Sequence, residues 1–247
     1  LRKVFAVILA SGTGQRMGSD VPKQFLRLGG RTILEHTLRA FDDSAYVDHL
    51  ILVVHPATRP RVLDILEDGG YHKPLIVVDG GATRQESAKA GIEAIQVNPE
   101  QEQETWVLIH DAARPLVSEA VIARCVEALA SYKAVSAAVP ATDTVFQVDD
   151  VGQIETIPNR AKLWQAQTPQ GFHLEILRQA HHLAEAAADP SGPATDDCGL
   201  VLRYGLAPVH VVKGDVCNLK ITYPTDLAIA EQLLKLQKAL AAPKPET

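Results

Sequence analysis

The sequence is short of several things, and each shortage removes a class of function. Basic residues are in deficit: 24 Lys and Arg stand against 30 Asp and Glu, a formal net charge of −6. No run of Lys or Arg offsets this locally, so a surface for DNA or RNA is not indicated. A small cationic site for a small anion remains compatible with that balance. Cysteine is scarce and odd in number, and Cys125, Cys198 and Cys217 form no C-x-x-C pair. Neither a zinc site nor a redox motif follows, and reduced thiols in a cytoplasmic protein are the expectation. Long apolar runs are missing. The stretch 4–10 is far too short to span a bilayer. It is also a poor secretory signal, because the run ends in a glycine loop without a cleavage pattern. Internal repeats and low-complexity segments are absent as well. Aromatics are only 5% of the chain, so Ala, Val, Ile and Leu carry most of its 46% apolar content. That mix suits buried strands and alanine-rich helices.

What is present is an alternation. Continuous apolar runs at 4–10, 50–54, 75–78, 106–110, 135–139 and 209–213 read as buried strands. Helix-length amphipathic segments lie between and after them, at 33–41, 61–67, 84–95, 121–131, 173–187, 196–203 and 225–240. Thr83 and Ser118 stand where helix N-caps are needed. Strand–helix alternation predicts an α/β fold, a Rossmann-like three-layer sandwich with a mainly parallel sheet covered on both faces. Ligands in such sheets bind beyond the carboxyl ends of the strands. One region breaks the rhythm. Two short alternating runs flank Asp149-Asp-Val-Gly152 within 141–166, which predicts a β-hairpin protruding from a single domain at 1–240. A local surface flap is the plainer alternative. Residues 241–247, with two prolines, are expected to fray.

After the first predicted strand comes Ala10-Ser11-Gly12-Thr13-Gly14-Gln15-Arg16-Met17-Gly18, then Pro22-Lys23-Gln24-Phe25. Gly12 and Gly14 let the backbone approach a phosphate and point consecutive N–H groups at it. Arg16 can grip phosphate oxygens as a fork, and Lys23 adds a mobile point charge. The spacing from Gly12 to Gly18 lacks the Lys-Ser or Lys-Thr of a Walker loop. A dinucleotide fingerprint is disfavoured too. Met17 occupies the third glycine position, and a helical pattern fills the interval where a second strand should end in an acidic residue. A glycine turn with no ligand remains the bland alternative.

The string L-A-S-G-T-G-x-R-M-G…P-K-Q-F resembles the nucleotide loop of sugar-phosphate nucleotidyltransferases, and most closely the 2-C-methyl-D-erythritol 4-phosphate cytidylyltransferase family. The likeness runs over nearly the whole chain. It is carried jointly by Asp79-Gly-Gly with Arg84 and Ser87, His110-Asp-Ala-Ala-Arg-Pro115, Thr142-Asp-Thr144, Arg160, Gln167-Thr-Pro-Gln170, Thr195-Asp-Asp197 and Asn218-Leu-Lys-Ile-Thr222. The resemblance implies the nucleotide-diphospho-sugar transferase type of fold. It also implies transfer of CMP from CTP to a small alditol phosphate, with Mg²⁺. Arg16, Lys23, Arg160 and Lys220 would then be the catalytic cations. Ala10, Ser11, Gly12, Gly14, Gly81, Ala82, Ser87 and Asp111 would hold CTP, and Arg114, Thr144, Thr168 and again Asp111, Arg160 and Lys220 the acceptor. Asp111 is the implied metal ligand, with a turn or N-cap role as its alternative. The hydroxyl of Ser11 could bond a phosphate or cap the turn. His110 is expected to pack beside its strand. The resemblance further implies a homodimer in which the arm, with Thr144 and Arg160, serves the partner subunit. Ribitol-5-phosphate cytidylyltransferase shares most of these motifs, although the His-Asp-Ala-Ala-Arg-Pro form and Arg160-x-x-Leu-Trp164 lean toward the methylerythritol acceptor. A non-catalytic nucleotide-binding module is the alternative of another class. The joint presence of an α-phosphate clamp and an acceptor site argues against it.

Overall fold

Side-chain alternation along the first strand sets the layering. In this computed structural model, which describes residues 2–12, 14, 17–18, 21–187 and 194–241, β1 spans Lys3–Ala10. Val4, Ala6 and Ile8 point to one face and Phe5 and Val7 to the other. Such two-sided burial requires a cover on each face.

The chain supplies both covers in order. After β1 come a short ribbon, β2 (Arg27–Leu28) and β3 (Arg31–Thr32), and α1 (Ile33–Asp42). Next are β4 (His49–Val54), α2 (Arg59–Gly69), β5 (Leu75–Asp79), α3 (Arg84–Glu93) and the single turn α4 (Pro99–Glu102). Then follow β6 (Thr105–Asp111), α5 (Glu119–Ala128) and β7 (Ala134–Pro140). The arm carries β8 (Gln147–Val148) and β9 (Ile154–Thr156). The chain closes with β10 (Trp164–His173), α6 (Leu174–Ala186), α7 (Asp197–Arg203), β11 (Val209–Lys213) and α8 (Pro224–Ala241). Leu38 and Phe41 of α1, Val62 of α2 and Val121 of α5 join Val4, Ala6 and Ile8. Ile92 of α3, Leu177 of α6 and Val201 of α7 join Phe5 and Val7. The result is the three-layer sandwich.

The seven-stranded sheet runs β11-β7-β10-β6-β1-β4-β5. β10 is antiparallel to β6 and β7, and every other pairing is parallel. The chain leaves β1 for β4 and β5, then crosses back to place β6 on the other side of β1. That reversal opens a crevice at the carboxyl ends of β1 and β6.

The predicted strands are all there, within a residue or two at each end. Besides the two-residue β2 and β3, the sequence did not announce β10 as a strand. Its run Trp-Gln-Ala-Gln-Thr-Pro-Gln-Gly-Phe-His holds a proline and a glycine, both poor interior strand residues. The pairing with β7 is irregular between Ala166 and Gln170, and this break accommodates Pro169. Residues 164–166, assigned to the arm from sequence, pair with β7 instead. The arm itself forms around the expected turn. The side chain of Asp149 accepts from the amides of Val151 and Gln153, and Gly152 takes φ +85. Thr83 caps α3 with a full capping box to Glu86. Ser118 occupies its N-cap position without a side-chain bond. Of the tail expected to fray, Ala241 ends α8 and residues 242–247 lie outside the described residues.

Gly91 shows how tightly α3 is pressed on the sheet. A Cβ there would drive into Val7 Cγ1 and lie 2.8 Å from Val53 Cγ2. Alanine in mid-helix would ordinarily gain about 1 kcal/mol over glycine. Overpacking against two buried, stiff valines costs about 1–3 kcal/mol and wins. Gly91→Ala is therefore expected to lower the urea midpoint; an unchanged or higher midpoint would show that α3 can lift off without loss.

Candidate active site

The carboxyl ends of β1, β4, β5 and β6 open onto a cleft of about 630 Å³. Parallel strands deliver their following loops to the same edge, so distant segments of sequence meet there. Ala10, Ser11, Gly12 and Gly14 arrive after β1, His55 after β4, Gly81 and Ala82 after β5, and Asp111 at the end of β6. Ser87 and Arg84 come from α3, and Lys23 and Lys220 close the rim. Arg16 lies outside the described residues.

Local chemistry explains the shape of the glycine loop. Gly14 has φ +70, and a Cβ there would sit 3.1 Å from Lys23 Cγ. Only glycine satisfies both demands at once. The Ser11 hydroxyl donates to Ser87 Oγ at 2.8 Å, and Ser87 donates in turn to the Thr83 carbonyl at 2.9 Å. The bond seen is neither of the two roles offered from sequence: this side chain ties the loop to α3. Gln24 is a site residue that sequence reasoning passed over, although it stands inside a quoted motif. Its amide donates to the Ala10 carbonyl at 3.0 Å from a position 4% exposed. A buried glutamine has to find partners, and this one fixes the end of β1. Beside it, the Arg61 guanidinium lies 4.3 Å from the centre of the Phe25 ring. Lys23 Nζ reaches the Ile221 carbonyl at 3.1 Å.

Asp111 is the electrostatic centre. Its Oδ2 is 2.7 Å from Lys220 Nζ, and its Oδ1 is 3.7 Å from Arg84 Nε. Burial alone would raise its pKa, but Lys220 and then Arg84 overcome that and hold it down at about 2. The carboxylate is ionised in the resting cleft. Its backbone N–H donates to Thr168 Oγ1 at 3.1 Å. The hydroxyl hydrogen of Thr168 is therefore left for His110 Nδ1, 3.0 Å away. That leaves Nε2 of His110 as the donor to the Arg114 carbonyl at 3.2 Å. Complete burial pushes the His110 pKa down to about 4, so the ring is a neutral strut, packed beside its strand as expected.

The remaining expected residues divide in two. Arg114 and Thr168 stand behind the cleft wall. Arg114 donates to the Asn218 carbonyl at 2.7 Å and to the Ala166 carbonyl at 3.2 Å. Asn218 donates to the Thr168 carbonyl at 2.8 Å, and the Ile221 amide donates to Ala113. These contacts bind three sequence motifs into one wall and set where Lys220 leaves the backbone. Thr144 and Arg160 are exposed on the arm and are not among the residues lining the cleft. Arg160 donates to the Thr142 carbonyl at 3.0 Å. The arm is otherwise conspicuous for bare apolar side chains, among them Phe146, Ile157 and Val151, the last 86% exposed. Asp196, in the Thr195-Asp-Asp197 segment, caps α7 by accepting from the Gly199 amide. Residues 188–193, which precede this segment, lie outside the described residues.

Chemically, the cleft offers flexible cations, glycine backbone and one ionised carboxylate. Among the described residues its two lining serines are engaged with each other, and its cations and glycine backbone are suited to bind and neutralise a polyphosphate.

Residues 4–236 match the profile of the 2-C-methyl-D-erythritol 4-phosphate cytidylyltransferase family. A relative of that name from Thermobifida fusca is 46% identical over 238 residues, covering 94% of each chain. The bifunctional ribulose 5-phosphate reductase/CDP-ribitol pyrophosphorylase of Haemophilus influenzae is 38% identical, over 94% of this chain and 48% of its own length. Among solved structures, 4-diphosphocytidyl-2C-methyl-D-erythritol synthase from Anaerococcus prevotii superposes with a TM-score of 0.81 at 31% identity, over 95% of this chain and 99% of the other.

The His110 strut has a pH signature. A histidine held near pKa 4 instead of 6.5 contributes stability above pH 6.5 that is lost as pH falls toward 4. The gap corresponds to roughly 3 kcal/mol. Asp111, held at about 2, contributes stability that is complete above its ordinary value of 3.8 and is lost only as pH falls from there toward 2, so the two windows separate. Urea midpoints of metal-free protein should fall between pH 6.5 and 4, and His110→Asn should flatten that slope. Equal slopes for both proteins would remove the strut from the account.

Proposed function

The chain belongs to the 2-C-methyl-D-erythritol 4-phosphate cytidylyltransferase family, and from that premise we infer that it transfers CMP from CTP to 2-C-methyl-D-erythritol 4-phosphate. The products are 4-CDP-2-C-methyl-D-erythritol and pyrophosphate. The observation that carries this reading is the convergence on one cleft of the glycine loop, Lys23 and the Asp111–Lys220 pair. The acceptor's own phosphate is the nucleophile, so the protein has to position two anions and neutralise the charge that develops between them. Lys23, with Arg16 on the same loop, stabilises the α-phosphate as it is attacked. Gly81, Ala82 and Ser87 form the cytosine side, and Ala10, Ser11, Gly12 and Gly14 the phosphate side. Lys220, Thr168, Arg114 and Asp111 belong to the acceptor side, with Lys220 touching the phosphate and Arg114 and Thr168 supporting the wall.

Magnesium fits the donor chemistry. Asp111 is the one carboxylate among the described residues lining the cleft, it is ionised, and Mg²⁺ commonly takes one or two carboxylates plus substrate phosphates. Bound there, the ion would neutralise phosphate oxygens. No helix among the described residues is long and apolar enough to cross a membrane. Three free cysteines support a reducing, cytoplasmic setting.

The arm completes the site in a homodimer. Thr144 and Arg160 stand apart from their own cleft on an element whose apolar side chains face solvent, an arrangement suited to a second copy. Ribitol 5-phosphate is the second acceptor to weigh, because the Haemophilus relative is named for CDP-ribitol synthesis.

Pyrophosphate release with both acceptors tests the assignment, and faster turnover of ribitol 5-phosphate would overturn it. Lys23→Ala is expected to reduce turnover by ~10²–10³, the usual cost of losing such a donor. Each of Lys23→Ala and Arg160→Ala should be inactive alone. Mixed under conditions of subunit exchange, they should recover about a quarter of wild-type activity, since half the dimers then hold one intact site of two. No recovery would place Arg160 in its own subunit's site or outside any.

A further inference from the structure

Behind the cleft a row of alternating charges runs inward from Lys220. Asp111 lies between Lys220 and Arg84, and Arg84 Nη1 is held at 2.8 Å by Asp197 Oδ2. Asp197 in turn receives Nε2 of His181 on its Oδ1 at 2.9 Å. The row starts at the rim and ends in the interior: the side chains of Lys220, Asp111, Arg84 and Asp197 are 39%, 13%, 26% and 1% exposed. The outer cation has one carboxylate partner and stands at the rim, whereas the inner one is held between two.

Helix stability does not explain Arg84. It is the first residue of α3, where the positive end of the helix dipole disfavours a cation. The capping box of Thr83 and Glu86 already satisfies the terminus. Its side chain is explained by the two carboxylates, one at each end of the guanidinium. A lysine there could serve only one of them, whereas a planar fork can face both.

We propose that Arg84, pinned by Asp197, is the counter-ion that stays with Asp111 when Lys220 leaves it for the acceptor phosphate, so that Arg84 and Asp197 are positioning residues for the transfer. The proposal rests on the reading of Lys220 as the acceptor clamp. In the resting cleft Lys220 is spent on Asp111 and is not available to a phosphate. Unless another cation stands beside it, freeing Lys220 would strand a carboxylate in a largely buried site, and a lone buried charge is strongly unfavourable. Arg84 removes that obstacle, because its Nε is already beside Oδ1. Asp197 has a second task, which is to keep the guanidinium out of the cleft. Arg84 lines that cleft, and released from Asp197 it would swing toward the triphosphate and leave Asp111 to reclaim Lys220.

This predicts a kinetic signature. Asp197→Asn and Arg84→Lys should raise KM for the acceptor and lower kcat, together reducing kcat/KM for it by about 10–100-fold, in line with the cost of small misplacements remote from the chemistry. In the double variant Arg84→Gln/Asp197→Asn, which has no guanidinium to enter the cleft, the dissociation constant for CTP, measured without acceptor by calorimetry, should change less than about twofold. Asp197→Asn strands the buried guanidinium and is liable to unfold, so the double variant Arg84→Gln/Asp197→Asn is the decisive one. Removing both charges leaves neither unpaired, which restores stability if the pair is merely structural. Wild-type acceptor kinetics in the folded double variant, or in Arg84→Lys, would overturn the proposal alone. Lys220→Ala is measured in parallel. If its acceptor KM equals that of the wild type, the clamp reading fails and takes the proposal with it.

Discussion

A carboxylate placed at the end of a buried central strand has to be kept charged, and much of the site follows from that requirement. Asp111 ends β6 beside β1, where burial alone would neutralise it. Two cations prevent this, and each drags a segment into place. Lys220 brings the 215–222 loop, which is fastened by Asn218 to Thr168 and by Ile221 to Ala113. Arg84 brings the start of α3, and with it Gly81, Ala82 and Ser87. The Ser11–Ser87 bond then couples α3 to the glycine loop. The segments proposed for the cytosine, the phosphates and the acceptor are thus built around one ionised group.

The antiparallel strand does related work. β7 runs out at the carboxyl edge of the sheet and β10 re-enters there, with Trp164 opposite Pro140. The arm between them consequently projects from the edge that carries the cleft, and the Gln167–Gln170 motif lies directly against β6 and β7. A parallel strand in this slot would have needed a long crossover, and its first residues would have lain at the far edge. Pro169 and the broken register are tolerable because Thr168 at that point faces His110 and Asp111 instead of completing a ladder. Strand regularity was given up where the site needed a hydroxyl.

How legible this was depended on distance along the chain. Strands such as β1 and β6 were readable because burial on both faces leaves an unbroken apolar run. The cap at Thr83 and the turn at Asp149 were readable because their bonds are local. β10 was not, since a strand bearing Pro, Gly and three Gln makes sense only beside its neighbours. The cleft residues were found through motif resemblance, and the structure brings Ala10, Ser11, Gly12, Gly14, Lys23, Gly81, Ala82, Ser87, Asp111 and Lys220 together. What no spacing could disclose was who partners whom. Arg84 meets Asp197 across 113 positions, and Ser11 meets Ser87 across 76. Arg114 illustrates the opposite case, a motif arginine whose fork is turned onto backbone carbonyls.

A protein of net charge −6 that binds two phosphate-bearing substrates must concentrate cations without repelling itself apart. The resting contacts show how. Lys23 rests on a backbone carbonyl and Lys220 on Asp111, so each positive charge has a partner before any ligand arrives. Asp111 is in turn balanced from behind by Arg84, so a cleft in an acidic chain holds Lys220 at its rim and a second cation behind the carboxylate with little mutual repulsion.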